Sequence, residues 1–395
     1  MKHLFAWCAA LLLIAPCWCP LLLAQDDDGE DAATPGWRYE FQRKYELYRD
    51  YGHDWRLAGL FGSNPEEGLL IGGGPILYEF GFRTFPFVYR MELTGEITIP
   101  SGRYRVAYAL RMPALADGLS LEVLAHASEL EVTNFYGFGN NSQRDESREH
   151  EDFYRVASRE FLVHPMMHRQ ISGYSYLGFG MLYSHFRIRR KENRFYNRFT
   201  PDSLGDNRSQ LGMGATLHFD TRDHGNASHR GVFLNIDTWH FLDPTGSAHP
   251  FQRITGDVRG YLGDTLFTDV MLAARVGGEK IFGDFPFQES AFLGGSGSLR
   301  GFQAQRFAGD ASLFGSVELR VALGRAKLIV PTELGVLALG DAGRVWVDGT
   351  SEGRWHSDVG GGIWLAPLSR DFLLSLLLAT SVDGICFRAA MGFAF

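Results

Sequence analysis

A period of two, held over segments of about ten residues or more, restricts the fold of this chain more than any other feature. In "LGMGATLHFD", Leu211, Met213, Ala215, Leu217 and Phe219 point one way, while Gly212, Gly214, Thr216, His218 and Asp220 point the other. In "LFGSVELRVAL", Leu313, Val317, Leu319, Val321 and Leu323 oppose Ser316, Glu318 and Arg320. The last stretch sets Ile385, Phe387, Ala389, Met391, Phe393 and Phe395 against Cys386, Arg388, Ala390, Gly392 and Ala394. Strands of this length are long for a soluble domain and right for a tilted strand crossing a bilayer. A soluble sandwich also alternates. Charges well inside the strands fit a wet barrel interior instead.

The connections support the same reading. They fall at Asn134–His150, His164–His168, Arg190–Arg208, Thr221–His229, Asp243–His249, Gly263-Asp264, Gly283–Asp310, Gly324–Lys327, Asp341–Arg354, Pro367–Asp371 and Val382–Gly384. Long and short spacers largely alternate. Placing the first, third and fifth outside the cell leaves the C-terminus periplasmic, with short inner turns and longer outer loops. Weaker strands near 54–62, 68–80, 87–98 and 103–112 bring the total to about sixteen, an even number as such barrels require. In hydrocarbon every backbone N–H and C=O must be paired, so the expected fold is an all-β antiparallel barrel.

The N-terminus reads as an export signal over residues 1–24: Lys2 and His3, an apolar run Leu4–Leu23, then Ala24 before the acidic Asp26, Asp27, Asp28, Glu30 and Asp31. A retained anchor is the rival reading, opposed by Pro16 and Pro20. A lipoprotein signal ending at Cys17 fits poorly after Pro16. Residues 25–53 form an acidic linker and a short periplasmic segment, "WRYEFQRKYELYRDY", either a helix or an extended tether. The barrel is assigned to 54–395. Removing the signal leaves Cys386 alone, so no internal disulfide is available. The net charge of -8 argues against a nucleic-acid partner, which would need a basic face.

One segment does not fit a plain barrel. "FLGGSGSLRGFQAQRF" opens with Gly294, Gly295 and Gly297, where a loose backbone is expected, then presents Arg300, Gly301 and Phe302. Leu299-Arg300-Gly301-Phe302 resembles the signature of the bacterial surface-antigen family of outer-membrane barrels, the family of BamA and TamA. The order of further segments agrees. "LGDAGRVW", with Asp341 and Gly343, is similar to a motif on the thirteenth strand, with Leu339 in place of the usual aromatic. "SVELR", with Glu318, is similar to an acidic position on the twelfth. "FDTRDHGNASHRG", with Asp220, Arg222, Asp223 and Gly231, resembles a turn between middle strands, without its usual proline. "FYGFGN" and "NPEEGLLIGGG" also look like family segments.

The resemblance implies a loop between strands eleven and twelve folded into the lumen, with Arg300, Gly301 and Phe302 at its tip. Glu318 and Asp341 fall at inward parity on neighbouring strands, so Arg300 is expected to pair with Asp341, with Glu318 as second candidate and Gly343 beside them. Phe393 and Phe395 resemble the terminal recognition signal read by the barrel-assembly machinery. Family members that insert or export proteins carry periplasmic POTRA modules, and residues 25–53 are too few for one. The expectation is a POTRA-less member in the bacterial outer membrane, acting in protein or lipid translocation or assembly. A seam between first and last strands would open, weakened near Gly392. The alternative is a passive pore or structural barrel. Partners would be outer-membrane lipid, the assembly machinery during biogenesis, and an unidentified periplasmic or substrate protein. No enzyme, catalytic group, cofactor or metal is expected: "GGSGS" has Ser298 where a nucleophile elbow needs glycine, and His126, His164, His168 and His218 are scattered.

Overall fold

The computed structural model describes Trp37–Arg38 and residues 51–395, apart from 65–67, 83, 85, 150–151, 200–204, 226, 245–248, 266–268 and 328. The expected signal, cleavage point and most of the linker lie outside the described residues.

The sheet has seventeen members, one of which is the two-residue segment Trp37–Arg38. The sixteen long strands are β1 (Gly52–Asn64), β2 (Gly68–Phe80), β3 (Tyr89–Pro100), β4 (Tyr104–Ala116), β5 (Leu119–Asn134), β6 (Arg155–Ser172), β7 (Ser175–Ile188) and β8 (Asn207–Asp220). They continue as β9 (Arg230–Leu242), β10 (Phe251–Thr265), β11 (Asp269–Gly283), β12 (Ala311–Lys327), β13 (Pro331–Trp346), β14 (His356–Pro367), β15 (Leu374–Ser381) and β16 (Gly384–Met391). Each strand pairs antiparallel with the next along the chain, from β1–β2 to β15–β16. Trp37 and Arg38 pair with Phe61 and Leu60 of β1. The sheet curls far enough that Ala227, between β8 and β9, packs with Trp364 of β14 and Leu373.

Burial on the two faces is inverted relative to a soluble protein. On β12, Leu313, Val317 and Leu319 are exposed, while Ser312, Ser316, Glu318 and Arg320 are buried. Outward Leu57, Phe179, Val276, Val359 and Ile363 extend the apolar surface around the molecule. Inward Glu92, Glu131, His164, His218, Arg275 and Asp358 line the interior. A chain in water would lose stability by this arrangement, whereas a chain in a bilayer requires it.

Several turns lie elsewhere than the sequence suggests. His164–His168 is inside β6, and the short connection comes at Gly173-Tyr174. Pro165 invites a break because it lacks an N–H. Here the β6–β7 pairing simply passes from Val163 to Met166. Gly263-Asp264 and Gly324–Lys327 likewise belong to strands. Asp341 is well inside β13, so the following loop begins only after Trp346.

Both ends of the interior are covered. At one end Phe135 meets Phe138 and, from two other connections, Phe195, Phe199 and Phe287. At the other, Asp220 chelates Arg222, and Asp223 accepts from the His229 and Arg230 amides, holding the turn that delivers Ala227. Arg370, in the turn between β14 and β15, donates to Asp269 and Glu333, tying that turn to the starts of β11 and β13 beside it.

Candidate functional site

The long connection between β11 and β12 is ordered by its own backbone. Ala291–Leu293 pairs antiparallel with Phe307–Gly309, a short hairpin separate from the main sheet. Gly294 and Gly295 at its end have φ of 112° and 90°. These are left-handed conformations that a side chain resists, and a Cβ at Gly294 would sit 2.3 Å from the Gln303 carbonyl oxygen. The glycines therefore close a tight turn rather than loosen the chain. The Gly295 amide donates to the Leu299 and Phe302 carbonyls, and the Gly294 amide to the Ser298 hydroxyl. Leu293, Leu299, Phe302 and Phe307 bury themselves with Val345 of β13. Gly343 makes room for this packing, since a Cβ there would come 3.1 Å from Leu293 and 3.2 Å from Leu299.

This brings Arg300 to the inner wall at 1% exposure. Its Nε and Nη2 donate to the two carboxylate oxygens of Asp341 at 2.8 and 2.6 Å, and its own amide donates to Oδ2 at 3.0 Å. Its Nη1 donates to Glu318. Asp341 and Glu318 are 3% and 1% exposed. The geometry makes Asp341 a planar fork-to-fork partner, which arginine can form and lysine cannot. Gly301 is pressed against β14, where a Cβ would meet the Asp358 side chain at 2.5 Å.

Arg320, two residues from Glu318, was not singled out from the sequence. Its Nε donates to the second Glu318 oxygen at 2.6 Å, and its Nη2 to the Phe395 carbonyl at 2.6 Å. Its guanidinium carbon lies 3.8 Å from the centre of the Phe393 ring. The clue was its parity: it shares the inward face of β12 with Glu318.

Phe393 and Phe395 do not continue the outward row of Ile385, Phe387 and Met391. The strand ends at Met391, Gly392 takes φ of 81°, and its amide donates to the Leu373 carbonyl at 2.7 Å. The chain then turns inward. Phe393 meets Trp364 edge-on, and Phe395 is buried with Tyr261, Met271 and Ala273. Alternation reads on through Gly392 only if the strand does, and a left-handed glycine ends it.

The other side of the loop tip also has partners that the motif did not indicate. Ser381 Oγ and Cys386 Sγ donate to the Gly301 carbonyl, and Arg388 donates to the Arg300 and Phe302 carbonyls. Arg306 pairs with Asp383 at 2.6 Å.

The histidines are not all apart. His126 comes together with Glu131 and Glu160, with candidate ligand atoms within 4.8 Å of one another. Sequence spacing hides this because the residues lie on β5 and β6. Both carboxylates already have partners: Glu131 holds Arg105 at 2.6 Å and Glu160 holds His126 at 3.2 Å. His164 lies against Trp239, and Tyr176 sits between His168 and His218.

A sixteen-stranded antiparallel barrel, apolar outside and ionic inside, with an arginine-tipped loop bound to its wall, is the architecture of an outer-membrane β-barrel. The chain belongs to the Omp85 superfamily, whose domain model matches residues 95–371. The fold is similar to BamA from Haemophilus ducreyi lacking POTRA domains 1-3, with TM-score 0.60 and 16% identity, covering 86% of this chain and 69% of that one. It is also similar to CdiB from Escherichia coli (TM-score 0.53, 12% identity, 87% of this chain and 61% of that one). For CdiB from Acinetobacter baumannii the TM-score is 0.51 and the identity 12%, over 85% and 62% of the two chains. Comparison with curated proteins gives no match.

Proposed function

We propose that this protein works in the bacterial outer membrane as a translocation or assembly barrel for protein or lipid, without covalent chemistry, and that its Arg300-tipped loop is the internal element released during work. The observation that carries the reading is the buried Arg300–Asp341–Glu318 network in an Omp85-type barrel. A merely structural loop needs packing, which Leu299 and Phe302 already supply. A buried ion pair adds little net stability over an apolar substitute, but it sets one geometry and breaks as a unit. That suits an element with a docked and a released state. The outward apolar surface suits the bilayer, and the inward-turned Phe393 and Phe395 suit recognition of the newly made chain by the barrel-assembly machinery before the tail docks. The cargo and any periplasmic partner would meet the barrel at the end where the turn around Ala227 lies.

The test is the folding of unfolded outer-membrane barrels into liposomes that already contain this protein. Wild type is expected to accelerate insertion of one or more clients over empty liposomes, and Asp341→Asn to lose most of that acceleration while itself remaining folded. Equal rates with and without the protein, across a panel of clients and a lipid-scrambling assay, would leave the passive-barrel alternative.

A further inference from the structure

Three consecutive carbonyls at the loop tip, those of Arg300, Gly301 and Phe302, all accept hydrogen bonds from the last two strands and the turn between them. Arg388 of β16 spans the first and third, with Nε 3.3 Å from the Arg300 oxygen and Nη2 on the Phe302 oxygen. Gly301 accepts from Ser381 Oγ at 2.7 Å and from Cys386 Sγ at 3.3 Å. The donors of the same tip go the other way, from the Arg300 amide and guanidinium to β12 and β13. The tip is thus held from two sides, and through its backbone on the β16 side. A backbone contact leaves no mark in the Arg-Gly-Phe motif.

β16 needs such a brace. It is eight residues long, against thirteen for β1. Its outward Ile385, Phe387 and Met391 are exposed. Arg388 is half-buried on the inner face, and its guanidinium forks over two carbonyls. Only a planar donor set reaches both at once; an ammonium would reach one.

We propose that Arg388 is a positioning residue that couples the lumen loop to the last strand, so that undocking of the loop and loosening of β16 are one event. This rests on the reading above that the loop is released during work, and it adds what the release does: it frees the terminal strand. Asp341 lies on β13, with β14 and β15 between it and β16. A change there reaches β16 through the loop, through Glu318 and Arg320 to the tail at Phe395, or by general unfolding, and the Arg388→Ala background isolates the first route.

The experiment is hydrogen exchange, read by mass spectrometry, on the protein in lipid nanodiscs. Heat-modifiable mobility serves as the check that the barrel is folded. Asp341→Asn is expected to raise exchange about tenfold both in 294–306 and in 384–391, with β6 and β7 unchanged. In an Arg388→Ala background, 384–391 already exchanges fast and Asp341→Asn adds nothing there. Arg388→Lys is expected to behave as Arg388→Ala, because it keeps the charge and loses the fork. If Asp341→Asn does not fold, Arg300→Lys takes its place, because it loses the fork to Asp341 and leaves the Glu318–Arg320–Phe395 contacts in position. The inference is overturned if the loop undocks while 384–391 keeps wild-type exchange, or if lysine fully replaces Arg388. Because no client is present, a failed insertion assay and a failed coupling are separate outcomes.

Discussion

Arg300 shows how much one side chain can commit. It is enclosed, it spends its fork on Asp341, and it gives its remaining nitrogen to Glu318, which in turn holds Arg320. Removing one partner leaves a buried charge uncompensated, at a cost of about 3–5 kcal/mol for a fully enclosed pair. Arg300→Ala and Asp341→Ala are each expected to expose 294–310 to external protease and to lower barrel stability. The double variant should cost less than the two singles summed, since each single strands the other's charge. Strict additivity would mean that the two residues act independently. The pairing could be anticipated from residue type and inward parity. Arg388 could not, because its partners are carbonyls that every residue has.

At the scale of elements, the strands themselves were the most legible part. The range 68–80 coincides with β2, the expected segment near 54–62 falls inside β1, and that near 103–112 begins one residue before β4. Periodicity reports a face, and a face survives any tertiary context that keeps the strand. It does not report where the strand stops. Pro165 suggests a turn, but β6 carries it; alternation suggests strand through Phe393 and Phe395, but Gly392 ends it. The inward tail changes what a terminal mutation does. Phe395→Asp would place a second acid near Glu318, with Arg320 between them and Tyr261, Met271 and Ala273 around it. It is expected to lower the folded, heat-modifiable barrel severalfold while export to the periplasm continues. Phe395→Tyr should be tolerated better. Equal levels of folded barrel for wild type and Phe395→Asp would remove both the docking role and the targeting role of this residue.

At the scale of the whole molecule the question is whether the barrel is gated or an open pore. Sixteen strands alone are compatible with a water-filled channel. Here the interior is occupied from both ends. Phe135, Phe195, Phe199 and Phe287 gather at one end, the turn carrying Ala227 and the tail carrying Phe393 close on Trp364 at the other, and the loop tip lies between. The lumen loop is expected from the family resemblance, but the aromatic gathering at one end and the closure of the Ala227 turn and the tail on Trp364 are not legible, because each contact joins residues far apart in the chain and depends on how far the sheet curls. The arrangement predicts that wild type in planar bilayers shows small, brief openings rather than a sustained porin-like current. Replacing 294–306 by a short Gly-Ser linker removes Arg300 and Phe302 from the wall together. It should convert the protein to long-lived openings of severalfold larger conductance. Asp341→Asn should lie between, opening often and reclosing, because the loop stays attached at both ends. A wild-type current as large and as steady as that of the loop deletion would show that the loop does not obstruct the interior, and the barrel would then be a pore whose Arg300 network serves stability alone.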